Sequence, residues 1–202
     1  MRILTISALC VGIAAFAASA SGDDAVFPSQ RPAPEKRLFR SAAVDAKIDE
    51  VCAKLENPKL AWLFSNCFPN TLDTTVHYRK DAKGDDETFV YTGDIPAMWL
   101  RDSAAQVWPY LAFIREDEPL RKMIRGVVLK QFELIRLDPY ANAFNDLPAD
   151  EAAKPGKTMD GVRVRKGVFE RKYELDSLCY PIRLAHGYWK SSGDASVFDG
   201  RW

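Results

Sequence analysis

Residues 92–103 read TGDIPAMWLRDS and bring three charged side chains close to an indole ring. The four side chains are Asp94, Arg101, Asp102 and Trp99. A pyranose has an apolar CH face that stacks on an indole, and its hydroxyl groups form paired hydrogen bonds with carboxylates and a guanidinium. The composition of this stretch therefore favours sugar recognition.

A structural role for one of these acids is equally open from this segment alone. The pair Asp102-Ser103 lies where a strand gives way to a predicted helix, which is the place of an N-cap residue. A capping aspartate accepts a hydrogen bond from a main-chain N–H group of the first helical turn. Asp102 can therefore be a cap, a sugar ligand or both.

A second acidic segment, Tyr173–Ser177, reads YELDS and stands at another predicted helix start. Acidic side chains are favoured there because the helix dipole places partial positive charge at the N-terminus. That explanation alone would account for Glu174 and Asp176. Both are weaker candidates for the wall of a sugar site.

A third segment, Asn66–Thr75, reads NCFPNTLDTT and is rich in groups that bond sugar hydroxyls. The ordinary turn chemistry of asparagine, proline and aspartate explains the same composition. Asp73 is the carboxylate of this segment and joins the weaker candidates.

The charge balance argues against two classes of partner. The chain has 202 residues, with 28 basic and 28 acidic side chains and a formal net charge of zero. This gives no electrostatic reason to expect nucleic acid or an anionic membrane. His77 and His186 are far apart and lack ligand spacing, so we expect neither a metal site nor another cofactor.

The first 20 residues have a different character from the rest. Arg2 is followed by an uncharged apolar run to Ala18, and the small residues 18–20 suit signal peptidase. We therefore expect residues 1–20 to be a cleaved signal peptide, which leaves a secreted or periplasmic protein without a membrane anchor. An odd number of cysteines then remains, which predicts at least one free or interchain thiol: Cys52, Cys67 and Cys179.

The N-terminal half of the chain is predicted to contain an arm, two helices and a hairpin. Residues 21–40 include three prolines and predict a linker or an arm that wraps the domain. Apolar spacing predicts one helix opening at Ser41 and a short one over Lys59–Asn66. β-branched and aromatic runs at residues 74–78 and 88–91 flank a polar turn and predict a β-hairpin.

Helices return after Asp102 and dominate the C-terminal half. One apolar face is expected from five residues: Ala105, Val107, Trp108, Leu111 and Ala112. A longer pattern predicts a helix over residues 120–135, which Asp138-Pro139 ends. Residues 141–172 are loop-like, with a small strand pair at residues 162–164 and 167–169, and a last helix runs from near Glu174 to Trp189. Helix pairs without a fixed repeat indicate a mainly α fold.

The three polar segments together resemble a known family. They occur in the order seen in glycoside hydrolase family 125, and the resemblance runs from about Arg37 to Trp202. The family comprises metal-independent exo-α-1,6-mannosidases. The resemblance implies an (α/α)6 barrel whose loops form the substrate pocket at one end. Residues 41–202 would then be an incomplete barrel domain with inserted β-hairpins.

The resemblance also implies an inverting reaction on a mannose-containing glycan. The general acid and base are expected in later segments, in motifs like RPSDD and HES, and neither string occurs here. We therefore expect the chain to stop before both groups and to be inactive alone, and no residue is assigned as catalytic. The terminal-mannose pocket would be lined by Asp94, Trp99, Arg101 and Asp102, with Asp73, Glu174 and Asp176 as weaker members.

Two alternatives follow from the missing carboxylates and from the breadth of the fold. The chain could be an inactive remnant that binds glycans. It could also belong to another (α/α)6-barrel enzyme, such as a glucoamylase-like hydrolase or a glycoside phosphorylase, because a fold does not fix a function. The length and unusual composition of residues 94–107 favour the mannosidase.

Overall fold

The computed structural model describes residues 27–146, 157–158, 164–200 and 202. The expected signal peptide lies outside these residues. The described part is mainly helical, and its six α-helices are α1 (Ala42–Cys52), α2 (Pro58–Cys67), α3 (Asn70–Thr74), α4 (Leu100–Val107), α5 (Glu118–Leu137) and α6 (Leu175–Ser192). Two 3₁₀ turns, Pro34–Lys36 and Trp108–Phe113, accompany them. None of these described helices combines the length and apolar character needed to span a bilayer.

Helix ends follow the capping residues that the sequence supplies. The Ser41 Oγ accepts the Val44 N–H at 3.2 Å and opens α1, as predicted. At the start of α5, the Asp117 Oδ1 accepts the Leu120 N–H at 2.9 Å. Gly193 ends α6 with a φ of 77°, a left-handed conformation that glycine adopts without steric cost.

The strands form two small sheets. In the first, β1 (Val76–Lys80) pairs antiparallel with β2 (Asp86–Val90), which confirms the predicted hairpin. Thr74 and Thr75 do not belong to it, because the chain first makes the short helix α3. The second sheet has the order β3-β4-β6-β5, formed by β3 (Ala97–Trp99), β4 (Ala143–Asn145), β5 (Lys157–Thr158) and β6 (Val168–Arg171).

The expected strand pair in the long loop needs correction. Residues 162–163 lie outside the described residues, and residues 168–171 form β6. This strand pairs antiparallel with β4 and parallel with β5. Residues 157–158 of β5 lie in the segment that the sequence predicts to be a loop. Residues of the predicted loop thus belong to a sheet whose strands lead into α4 and α6. The local alternation of apolar and polar residues cannot show with which strand such a segment pairs.

The predicted apolar face of the helix after Asp102 is only partly confirmed. Val107 and Leu111 are buried as predicted, but Ala105 and Ala112 are exposed, and Leu100 and Ala104 are buried in addition. The helix α4 begins at Leu100, and the chain tightens into a 3₁₀ turn from Trp108. A turn of three residues in place of 3.6 shifts which side chains face the core.

The core lies between α5, the hairpin and α6. A Cβ on Gly126 would lie 2.5 Å from the Thr88 Oγ1 and 2.9 Å from the Glu87 main chain, so α5 packs directly on β2. The Thr88 hydroxyl donates to the Met123 carbonyl at 2.7 Å and joins strand to helix. Gly187 gives α6 the same close approach to the Trp108 ring.

The described part of the N-terminal segment, residues 27–40, lies along α2 and α3. The Trp62 indole N–H donates to the Pro28 carbonyl at 2.7 Å. Further along, the Phe39 N–H donates to the Leu72 carbonyl at 3.0 Å. These contacts hold the segment against the helices that precede the hairpin.

Candidate sugar-binding site

The second sheet brings two of the three polar segments together. Strand β3 runs directly into α4, and β6 leads through residues 172–174 into α6. Strand β4 pairs antiparallel with both β3 and β6, so these two strands run in the same direction. The starts of α4 and α6 therefore lie at the same end of the sheet. The rings of Trp99 and Phe169 meet edge to face with centroids 5.3 Å apart.

Arg101 is the centre of a cluster of carboxylates from both segments. Its Nη1 donates to the Asp176 Oδ2 at 2.9 Å and lies 3.6 Å from the Glu174 Oε2. Its Nη2 lies 3.5 Å from the Asp102 Oδ2. Four of the seven residues expected at the pocket therefore meet here. We call Arg101, Asp102, Glu174 and Asp176 the Arg101 cluster.

The Arg101 cluster is open to solvent. The side chains of Arg101 and Asp176 are 39% and 45% exposed, respectively. Glu174 is more covered, and its Oε1 accepts a hydrogen bond from the Lys172 ammonium at 2.7 Å. Charged hydrogen-bond donors and acceptors are thus accessible within one small surface, and such groups can bond sugar hydroxyls.

The contact between Arg101 and Asp176 determines the protonation states of both side chains. The hydrogen bond from Arg101 lowers the pKa of Asp176 below its ordinary value, and main-chain N–H groups of the first helical turn act in the same direction. The same hydrogen bond raises the pKa of Arg101. Both groups are therefore charged at neutral pH, and Asp176 is suited to accept hydrogen bonds from hydroxyl groups.

Asp102 does not cap α4, which corrects the capping interpretation. It is the third residue of the helix, and Trp99 occupies the N-cap position without a side-chain cap bond. The Asp102 Oδ2 is buried and makes no hydrogen bond. The Arg101 Nη2 lies 3.5 Å from this oxygen, so the guanidinium compensates its charge without a hydrogen bond.

Gln106 of α4 and the nearby His77 also have buried polar atoms without hydrogen bonds, and neither residue was predicted from the sequence to be part of a site. The Gln106 side chain donates to the Tyr91 carbonyl at 3.1 Å, but its Oε1 is buried without a donor. The His77 ring lies 4.1 Å from the Tyr91 ring, and its Nε2 is also buried and unpaired. Burial lowers the pKa of His77. Gln106 follows Asp102 by one helical turn, and that spacing was the available signal.

Asp94 lies apart from the Arg101 cluster. It is exposed, in the turn that a bridge between Thr92 and Ile95 closes. Among the described residues, no contact joins it to Arg101. Its place in the pocket wall stays a prediction.

Asp73 also belongs to a different cluster. Its carboxylate accepts two hydrogen bonds from Arg31, at 2.7 and 3.1 Å, and the Arg37 Nε lies 3.7 Å away. The residue is only 3% exposed. Asp73 thus holds the N-terminal segment, and Asp73, Arg31 and Arg37 are called the Asp73 cluster. Its part in sugar binding stays a prediction.

The described residues offer little for a metal ion. No group of three histidine, cysteine or acidic side chains within residues 27–146, 157–158 and 164–200 could hold one. Each carboxylate of the Arg101 cluster lies within 3.6 Å of a guanidinium nitrogen, and that positive charge opposes a cation. The exposed charged groups of the cluster can form hydrogen bonds with a polar ligand.

Comparison with known sequences gives the family. A sequence model described as metal-independent alpha-mannosidase (GH125) matches residues 57–202. The chain is 42% identical over 180 residues to the meiotically up-regulated gene 157 protein of Schizosaccharomyces pombe. That match covers 87% of this chain and 35% of the yeast protein.

A solved structure supports the same assignment. It is a metal-independent alpha mannosidase from Streptococcus pneumoniae in a non-productive substrate complex with alpha-1,6-mannobiose, with 42% sequence identity and a TM-score of 0.69. The match covers 81% of this chain and 37% of that one, so the chain spans little more than a third of the relatives it matches. Its helical fold corresponds to part of an (α/α)6 barrel. The chain belongs to glycoside hydrolase family 125, the metal-independent α-mannosidases.

Proposed function

We propose that the protein containing this chain removes terminal α-1,6-linked mannose from glycans, with inversion and without a metal ion. The family match supports hydrolysis of α-mannosides. The complex of the 42% identical streptococcal protein with alpha-1,6-mannobiose supports the linkage. The observation that carries the proposal is the open Arg101 cluster, which the fold assembles from two separate segments.

The Arg101 cluster binds and orients the sugar in this proposal. Adjacent hydroxyl groups of a mannose ring donate to the carboxylates of Asp102 and Asp176, while Arg101 donates to a ring or hydroxyl oxygen. The indole of Trp99 covers the apolar face of the ring. Such contacts fix the position of the anomeric carbon, which contributes to catalysis through orientation.

The proton transfers are assigned to other parts of the protein. An inverting glycosidase needs a neutral carboxylic acid for the leaving oxygen and a carboxylate for the attacking water, roughly 6.5–9.5 Å apart. Arg101 keeps Asp176 ionised, which disfavours that residue as the acid. We therefore propose that the acid and the base lie outside the Arg101 cluster.

The reaction is tested by following α-1,6-mannobiose with the protein by proton NMR in the presence of EDTA. The expected result is release of mannose that appears first as the β anomer, with slower or no cleavage of α-1,2- and α-1,3-mannobiose. Release of the α anomer would exclude inversion, and loss of activity with EDTA would exclude the metal-independent mechanism. Cleavage of α-glucosides in place of α-mannosides would exclude the substrate class.

A second candidate is a protein that binds glycans without cleaving them. The observation in its favour is the open Arg101 cluster, which can bind a sugar without any proton-transfer group. Reading the coding DNA past the Trp202 codon separates the two. A reading frame that continues into helices with two suitable carboxylates supports the enzyme, and a stop codon in every copy supports the binding protein.

We also propose export of the protein, because residues 1–20 have the order of charge, apolar run and small residues of a signal peptide. N-terminal sequencing of the mature protein tests this. Cleavage after Ala20 is expected, and an intact Met1 or Arg2 in the mature protein would contradict export.

A further inference from the structure

Asn142 connects the two halves of the Arg101 cluster through four hydrogen bonds. Its carbonyl accepts the Leu100 N–H at 3.1 Å, and its own N–H donates to the Glu170 carbonyl at 3.2 Å. Its side-chain Nδ2 donates to the Glu170 Oε2 at 2.6 Å, and its Oδ1 accepts the Lys172 N–H at 3.2 Å. Asn142 is only 1% exposed, and its main-chain and side-chain polar atoms all have hydrogen-bond partners.

Two of these bonds, those to the N–H groups of Leu100 and Lys172, hold the main chain next to the cluster. Leu100 directly precedes Arg101, and Lys172 stands two residues before Glu174. We propose that Asn142 is a positioning residue that sets the separation between Arg101 and the acidic start of α6. The ligand part of this proposal rests on the proposed function, because it assumes that the Arg101 cluster binds the sugar.

An asparagine suits this position because its side chain must both donate and accept. The amide N–H₂ meets a carboxylate, and the amide oxygen meets a main-chain N–H group. An aspartate would place a second negative charge against Glu170, and an alanine would leave both partners unpaired in the interior. Neither replacement keeps both connections.

The test compares Asn142→Ala with a matched control in the same strand region. Asn145 is also buried, and its side chain donates to the Val168 carbonyl at 3.3 Å without contacting either half of the cluster. Asn145→Ala therefore removes a buried hydrogen bond of the sheet but not the connection. Three quantities are measured at neutral pH and 25 °C: the melting temperature, the affinity for α-1,6-mannobiose, and the carboxyl pKa of Asp176 by carbon-13 NMR.

The pKa of Asp176 reports the separation directly, without any sugar. Arg101 faces this carboxyl, with Asp102, Glu174 and Lys172 nearby. If Asn142→Ala lets Arg101 move away, the pKa of Asp176 rises towards its ordinary value. Asn145→Ala should lower the melting temperature similarly and leave that pKa unchanged. A role in stability alone would leave it unchanged in both variants.

A rescue variant keeps the charge of the pair constant. Combining Asn142→Asp with Glu170→Gln exchanges donor and acceptor between the two side chains and leaves their total charge as it was. We expect Asn142→Ala to weaken α-1,6-mannobiose binding about tenfold, and the exchange variant to restore both the affinity and the low pKa of Asp176.

The outcomes separate this proposal from the proposed function. A raised pKa of Asp176 in Asn142→Ala but not in Asn145→Ala, reversed by the exchange variant, supports positioning even if the wild-type chain binds no mannobiose. If the wild-type chain binds no mannobiose, the proposed function of the site is wrong and the positioning role of Asn142 still stands. An unchanged pKa of Asp176 in Asn142→Ala overturns the positioning role, whether or not the sugar binds.

Discussion

Two aspartate–arginine pairs in this protein have similar bond lengths and different surroundings. Arg31 binds Asp73 with two hydrogen bonds, at 2.7 and 3.1 Å, and a second arginine lies 3.7 Å away. Arg101 binds Asp176 with one bond at 2.9 Å. Asp73 is buried beneath the N-terminal segment, whereas Asp176 is almost half exposed.

The difference indicates which carboxylate can serve a ligand. Asp73 uses both oxygens within the protein, and its removal would leave Arg31 partly unpaired in the interior. Asp176 is almost half exposed and accepts one hydrogen bond from Arg101, so it can accept further hydrogen bonds from a ligand. We infer that the Asp73 cluster stabilises the fold, and that the Arg101 cluster is where a sugar binds.

Replacing Asp73 should give the largest effect on stability. Asp73→Asn removes the carboxylate that Arg31 and Arg37 share and leaves Arg31 with Asp45 alone, at 3.0 Å, so we expect a loss of about 2 kcal/mol in the free energy of unfolding. Chemical denaturation measures this, with Asp176→Asn as the control that should unfold like wild type. Equal losses in both variants would remove the distinction between the two clusters.

Replacing Arg101 should give the largest effect on binding. Arg101→Met removes charge-assisted hydrogen bonds to the sugar, so we expect affinity for α-1,6-mannobiose to fall about a hundredfold. The melting temperature should stay close to that of wild type, because exposed ion pairs contribute little stability. Calorimetric titration and a melting curve give both numbers, and unchanged affinity would disprove the role of Arg101.

Trp99 should have a smaller effect that depends on the ring. Trp99→Ala removes the surface for the apolar face of the sugar, and we expect about tenfold weaker binding. Trp99→Phe keeps an aromatic face and should lose about threefold. Titration with the same disaccharide compares the two, and equal affinity in both variants would show that stacking is absent.

The smallest expected effect is a change with pH. The pKa of Asp176 is lowered in the folded protein, so its pairing with Arg101 contributes stability above the ordinary value of about 4 and loses it as pH falls through the lowered pKa. Binding should therefore be constant from neutral pH to about pH 4 and weaken below. In Arg101→Met, carbon-13 NMR should show the pKa of Asp176 back in its ordinary range; the same low pKa in that variant would contradict the assignment.

Much of the fold could be predicted from the sequence, and so could four of the polar residues that meet at the Arg101 cluster. Helical periodicity predicted α5, and β-branched runs predicted the hairpin. The unusual composition of residues 92–103 pointed to a sugar site, and Arg101, Asp102 and Trp99 of that segment lie at the Arg101 cluster or beside it.

Long-range partners were beyond the reach of local patterns. Arg31 lies 42 residues before Asp73, in a segment without periodicity, so nothing in the sequence showed that this carboxylate would be occupied. Asn142 stands in a loop-like region and gains its role only because β4 pairs with two other strands. Ala112 was expected on the apolar face and is exposed, because the chain makes a 3₁₀ turn from Trp108.

The most direct test of the account is a titration of the isotope-labelled protein with α-1,6-mannobiose, followed by NMR. The account predicts that the largest shift changes occur at Trp99, Arg101, Glu174 and Asp176, while the signals of Arg31 and Asp73 stay in place. Changes centred on Arg31 and Asp73, or no saturable change at the Arg101 cluster, would contradict it.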